Sequence, residues 1–244
     1  PRDEAIPSKQ ISNKKPTEDE LAGIVLKALG EQNLITNYSG TMHWNGQRWL
    51  CLGEELLREL VRSRLRKLSI PIRRSLLVNV SNLIKDRTFN LNKRFNISKD
   101  HIVSVLNGDL LYLDGKWTLT PPERDRMRTT LLPHMYDPDA TTPGFMQFLD
   151  DIFYGDADAH EKSSLVLQHM GYALQTHTNL ERFAIYVGTG GNGKSILLNT
   201  LKELIGIQNV AAVQPHMLKS TFHRASLNNN CLLYTSDAAD DSDC

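Results

Sequence analysis

The sequence predicts an α/β fold, built as a mixed α+β module followed by the start of a second, separate α/β core. Two observations carry this. Between residues 17 and 176, apolar stripes of helical period alternate with short β-rich runs broken at Asn-Gly and Asp-Gly pairs. From residue 183 to 205 the order is an apolar, β-branched and aromatic run, a glycine loop, and an amphipathic helix.

The elements follow in chain order. Pro1 to Pro16 is polar, mixed in charge and without period, and reads as a linker or disordered lead-in. Thr17-Glu18-Asp19-Glu20 is a capping-box signature opening a helix to about Leu29. Residues 34–52 read as a β-hairpin with Asn45-Gly46 at the turn. Trp44 and Trp49 flank that turn and are expected to pack on each other rather than stack on bases. Glu54 to Leu68 is an amphipathic helix, and a second helix follows Pro71 to about Lys85. Val103 to Leu119 reads as a hairpin region with turns at Asn107-Gly108 and Asp114-Gly115. An irregular, Pro-containing stretch spans 120–143, and helices are expected over Gly144 to Tyr154 and Ala159 to Thr176. Phe183 to Val187 then reads as a buried strand, and Ile196 to Ile205 as a helix with Gly206 just past its end. The expected division is therefore 1–16, a module at 17–176, a core at 177–230, and a tail at 231–244.

The glycine loop names a ligand chemistry. Gly188-Thr189-Gly190-Gly191-Asn192-Gly193-Lys194-Ser195 matches the phosphate-loop pattern G-x-x-x-x-G-K-[ST] in full. Residues without a β-carbon let backbone N–H groups approach phosphate oxygens, and a helix N-terminus adds unpaired donors. Lys194 is expected to reach the β- and γ-phosphates of ATP, each charge-assisted bond being worth roughly 1.5–3 kcal/mol. Ser195 is expected to offer its hydroxyl to the Mg²⁺ that accompanies the nucleotide. An ordinary glycine turn capping a core helix is the simpler alternative.

The tail is expected to have a different origin, a genuine acidic tail being the alternative. Cys231-Leu232-Leu233-Tyr234-Thr235-Ser236-Asp237-Ala238-Ala239-Asp240-Asp241 is the translation, residue for residue, of a transposase-type sequencing adapter. Residues 231–244 are accordingly expected to be read-through, and the chain, which starts at Pro1, a fragment at both ends. The tail holds four aspartates and no Lys or Arg, so residues 1–230 carry 28 basic against 24 acidic side chains. It also holds two of the three cysteines, leaving Cys51 alone, which speaks against a disulfide framework and fits a cytoplasmic location. No run approaches the ~18 apolar residues of a membrane span.

Charge is concentrated in one tract. Between Arg58 and Arg94 stand eleven basic residues against only Glu59 and Asp86. Arg58, Arg62, Arg64, Arg66, Lys67, Arg73 and Arg74 are the candidates for contact with a nucleic acid backbone. A merely solvated helix face is the competing reading. His160 and Glu161 read as surface residues, and Asp150, Asp151, Asp156 and Asp158 as soluble helix ends rather than a metal cluster.

Several blocks in order resemble a known family. They are Trp44-Asn45-Gly46-Gln47-Arg48-Trp49, and Val103 to Leu113 with Asn107-Gly108 and Leu110-Leu111-Tyr112-Leu113. Tyr136-Asp137-Pro138-Asp139-Ala140 follows, with Pro143 and Phe145 to Leu149, then Gly171-Tyr172-Ala173-Leu174 and the Gly-Asn-Gly-Lys-Ser form of the loop. Over residues 20–230 the chain resembles the helicase part of phage and plasmid primase–helicase proteins. These are superfamily-three helicases related to the poxvirus-type primase/NTPase. The resemblance implies an AAA+-like P-loop NTPase core and ATP-driven movement on DNA, single-stranded or at a fork. It also implies self-association into a ring, usually a hexamer, work in the cytoplasm of a bacterial host, and a primase domain upstream. It carries the loop roles to Gly188, Asn192, Gly193, Lys194 and Ser195. It places the acids that organise Mg²⁺, the sensor residue and the completing arginine beyond residue 230, so no catalytic residue is expected in this chain and no ATP hydrolysis by it. The core's first two strands would lack partners, which leaves 183–230 prone to edge pairing. Another P-loop ATPase or kinase, or a non-catalytic DNA-binding or interaction module, stays open as an alternative.

Overall fold

A computed structural model of the chain describes residues 15–97, 101–175, 184–188, 190–213, 215–220 and 232–234. They divide into two units. One holds the described residues up to 43 together with 51–93, and the other holds 44–50 together with the described residues from 94 onward.

The first unit is organised by three helices whose apolar residues recur at helical spacing. Helix α1 (Glu18–Leu29) opens on the expected capping box. The Thr17 hydroxyl accepts from the Glu20 N–H at 3.2 Å, and the Glu20 carboxylate accepts from the Thr17 N–H at 2.7 Å. The helix stops at Gly30, whose φ of 82° lets its N–H turn back to the Lys27 carbonyl. Helix α2 (Glu54–Lys67) buries Leu57, Val61 and Leu65, one residue every four, while α3 (Arg74–Arg87) buries Leu77, Val80, Ser81 and Ile84. These stripes close with Leu21, Val25, Leu26, Leu34 and Leu52 into one core. Full burial of each Leu or Val contributes roughly 1.5–3 kcal/mol.

The hairpin expected over 34–52 is a three-stranded sheet of order β1 (Leu34–Asn37), β2 (Gly40–Trp44) and β3 (Trp49–Leu52). A second turn separates β1 from β2, where the Asn37 side chain accepts from the Ser39 N–H and Gly40 takes a φ of 113°. At the expected turn, Asn45 Oδ1 accepts from the N–H groups of Gln47 (2.9 Å) and Arg48 (2.8 Å). Trp44 and Trp49 do pack on each other, their ring centroids 6.0 Å apart. Trp49 is buried, stands against Phe95, and donates its indole N–H to the Arg124 carbonyl at 2.9 Å.

In the second unit, β4 (Ile102–Val105), β5 (Gly108–Leu113) and β6 (Lys116–Thr120) form an antiparallel meander, in register from Val103 opposite Leu110 to Leu110 opposite Leu119. Val103, Val105 and Leu110 share a core with Leu132. Asp109, buried on the other side of β5, is held by Arg126 at 2.6 Å, which also bonds Glu123 at 2.8 Å. Helices α4 (Pro143–Ile152), α5 (Ala159–Ala173) and α6 (Lys194–Ile205) bury Leu149, Val166, Met170, Ala173, Leu197, Leu201 and Ile205 together.

One expected element is missing. Phe183 lies outside the described residues, and 184–187 form no strand. An extended run becomes a strand only when a neighbour takes its N–H and C=O groups, and this one has none among the described residues. The strand pairing instead joins β7 (Val210–Ala212) to β8 (Leu232–Tyr234) in parallel. The second of these lies in the segment read as adapter-derived.

Candidate functional site

The glycine loop sits between the segment 184–187 and α6, and its geometry follows from its glycines. Gly191 has a φ of 73° and Gly193, the residue capping α6, a φ of 80°. L-residues with a β-carbon rarely adopt that region. A β-carbon on Gly193 would stand 2.7 Å from Ile152 Cγ2 and 3.2 Å from the Phe148 ring, so the loop closes directly onto α4. A β-carbon on Gly188 would collide with the Asn192 side-chain amide. No side chain caps the first turn of α6, so its N–H groups and the positive end of its dipole face the loop.

Lys194 folds back across this loop. Its ammonium donates to the Gly188 carbonyl at 2.9 Å and to Asn192 Oδ1 at 2.8 Å. Ser195 is exposed in the same turn. Of the eight predicted loop residues, the structure thus brings Gly188, Asn192 and Lys194 into mutual contact or close approach, places Gly190, Gly191, Gly193 and Ser195 beside them, and leaves Thr189 outside the described residues. A hard hydroxyl oxygen, a lysine ammonium and an uncapped helix terminus form a donor set that fits a phosphate chain and its Mg²⁺.

Residues not singled out from sequence hold the loop in place. Tyr186, two residues before it, shares a 2.7 Å hydrogen bond with His169 Nδ1 on α5. Burial holds the His169 imidazole below its usual pKa and pushes the Tyr186 hydroxyl up, so both stay neutral around pH 7. At the far end of α6, the buried Asn209 amide donates to the carbonyls of Ile205 (2.8 Å) and Leu131 (3.0 Å). His134 Nε2 bonds the Glu203 carbonyl at 3.0 Å. The irregular stretch before α4 is thereby tied to the helix that carries the loop.

The basic tract resolves into two groups. Arg58, Arg62, Arg66 and Arg74 line a single groove between α2 and α3, about 990 Å³ in volume, whereas Arg64, Lys67 and Arg73 stand outside it. Other cations of the tract are engaged elsewhere: Arg87 pairs with Asp19 at 2.6 Å and Lys85 with Glu54. The Lys85 hydrogen bond holds the Glu54 carboxyl below its ordinary pKa. Asp156 and Asp158 both pair with Lys162, at 2.6 and 2.8 Å, and Asp151 accepts from Gln147. His160 and Glu161 are exposed. Among the described residues no group of three or more His, Cys, Asp or Glu side chains could hold a metal ion, and no helix is long and apolar enough to cross a membrane.

This mixed α/β module, continued by a glycine loop and helix, matches a family model over residues 22–154, from α1 to the end of α4. The chain belongs to the D5 N-terminal-like family, which is associated with primase–helicase proteins of phages and viruses. No curated protein sequence matches the chain significantly.

Proposed function

We propose that the chain is part of an ATP-dependent DNA helicase of the primase–helicase type, acting in phage or plasmid DNA replication, and that Gly188–Ser195 is its nucleotide-binding loop. The observation that supports this most is the loop itself: a closed turn of positive-φ glycines, seated on α4, delivering Lys194 and an uncapped helix terminus to one place. Its position after a D5 N-terminal-like module argues for a motor on DNA over a small-molecule kinase.

In this reading Lys194 exchanges its bonds to Gly188 and Asn192 for bonds to the β- and γ-phosphates. The N–H groups of the loop and of the first turn of α6 orient the phosphate chain, and the Ser195 hydroxyl holds Mg²⁺. When bound, Mg²⁺ neutralises phosphate charge. The loop supplies binding and orientation only. Hydrolysis needs an acid pair, a water-positioning group and an arginine as well, which the loop itself does not supply. It further assigns assembly into a ring, as a hexamer, in the bacterial cytoplasm.

The test uses the natural gene product that contains this chain, assayed for ATP hydrolysis with and without single-stranded DNA. Hydrolysis stimulated by DNA and abolished by Lys194→Ala is the expected result. Hydrolysis indifferent to DNA would return the kinase-like reading, and DNA binding without any hydrolysis the binding-module reading.

A further inference from the structure

We infer that the groove between α2 and α3 is a binding site for single-stranded nucleic acid, with Arg58, Arg62, Arg66 and Arg74 on the phosphates and its apolar lining against the sugars and bases. The inference rests on the reading of the chain as part of a DNA-replication protein and assigns the segment that would hold the strand.

Three features of the groove carry it. The first is spacing. Arg58, Arg62 and Arg66 recur every four residues of one helix, so they advance by about 6 Å each along one face. That is close to the separation of neighbouring phosphates along one extended strand. Arg74, at the start of α3, adds a fourth guanidinium from the opposite wall. The second is availability. Neither Arg66 nor Arg74 is salt-bridged among the described residues, and both are exposed. Arg58 Nε is buried without a hydrogen-bond partner, although the same guanidinium reaches Glu54 at 3.4 Å.

The third feature is the apolar part of the lining, Leu56, Ile72, Leu77 and Val78, beside the arginines. Leu56 is 52% exposed. A duplex offers only phosphates and groove edges to such a surface, while a single strand also offers unstacked bases and sugars that bury apolar area. Glu55 and Glu59 also line the groove, and Glu59 holds Arg62. The four arginines therefore exceed the carboxylates of the groove by two charges, which suits a backbone held at a few phosphates rather than a long duplex track.

The test is fluorescence anisotropy of a short labelled oligo(dT) with the full chain, without nucleotide, over a series of salt concentrations. Arg66→Ala/Arg74→Ala is compared with Arg64→Ala/Lys67→Ala, which removes the same charge outside the groove. The groove pair is expected to weaken binding about tenfold or more and to reduce the salt slope by about 1.4, two single-strand phosphate contacts at ~0.7 each. The control pair is expected to leave the slope nearly unchanged, and Leu56→Ser to lower the preference for oligo(dT) over a duplex hairpin. Equal losses for both pairs would mean diffuse charge and overturn the site. So would a duplex bound as tightly as the single strand, or displacement of the oligonucleotide by an equal concentration of an acidic peptide. Lys194→Ala should bind the oligonucleotide as the unaltered chain does. Failure of the groove thus leaves the ATP-binding reading standing, and failure of ATP binding leaves the groove standing.

Discussion

Replacing Gly193 by alanine should damage the loop more than the same replacement at Gly191. Two costs combine there. Gly193 has a φ of 80°, and holding an L-residue in that region costs roughly 1–2 kcal/mol. Its new β-carbon would also stand 2.7 Å from Ile152 Cγ2 and 3.2 Å from the Phe148 ring, both packed in the core of α4 to α6. Overpacking of that kind costs about 1–3 kcal/mol. The sum is about 2–5 kcal/mol, released only if the loop lifts away from α4. Gly191→Ala separates the terms: its φ is 73°, but nothing lies within 4 Å of the added carbon, so only the strain of roughly 1–2 kcal/mol applies. Gly171→Ala, inside α5 with open space around it, should stabilise by about 0.5–1 kcal/mol through helix propensity. Urea unfolding of the three variants, with binding of a fluorescent ATP analogue, measures all of this. The expected order of stability is Gly171→Ala, unaltered chain, Gly191→Ala, Gly193→Ala, with nucleotide affinity falling in the last two. Equal stability of Gly193→Ala and the unaltered chain would refute the seating of the loop on α4.

Three further outcomes follow from the packing. Leu57→Ala, at a fully buried position of α2, should cost about 2–5 kcal/mol in urea unfolding, while Leu56→Ala, one residue earlier and half exposed, should stay within about 0.5 kcal/mol. Arg126→Ala removes the partner of the buried Asp109 carboxylate and should destabilise by about 3 kcal/mol; a loss under about 1 kcal/mol would show that the ion pair is not desolvated as described. The third concerns pH. The folded chain keeps the His169 pKa below its unfolded value, so the unfolded state binds more protons as the solution acidifies. This contribution is complete above the unfolded pKa of about 6.5 and is lost as pH falls through the folded one. Thermal unfolding between pH 8 and 5 should show a drop that shrinks in His169→Gln, and an identical drop in both proteins would contradict it.

What was legible in the sequence was whatever local chemistry decides. The capping box at Thr17, the four-residue spacing of Leu57, Val61 and Leu65, and the Asn45-Gly46 and Asp114-Gly115 turns each specify their own conformation, and they appear where expected. The strand at 183–187 depends on a neighbour for its hydrogen bonds, and an apolar run cannot announce whether one is there. The basic tract shows the same division. Arg58, Arg62 and Arg66 share a helix face by spacing alone, but the addition of Arg74 and the exclusion of Arg64, Lys67 and Arg73 follow from how α2 and α3 pack. Asn209 and His134 bond backbone carbonyls 78 and 69 residues away in sequence, which no local pattern marks.

The central claim, that Gly188–Ser195 holds a nucleoside triphosphate, is tested most directly by isothermal titration of Mg²⁺–ATP into the chain and into Lys194→Ala. Saturable binding by the unaltered chain, weakened about tenfold or more by Lys194→Ala through loss of a charge-assisted bond of roughly 1.5–3 kcal/mol, is the predicted result. Equal heats and equal affinity in the two proteins, or none in either, would contradict it.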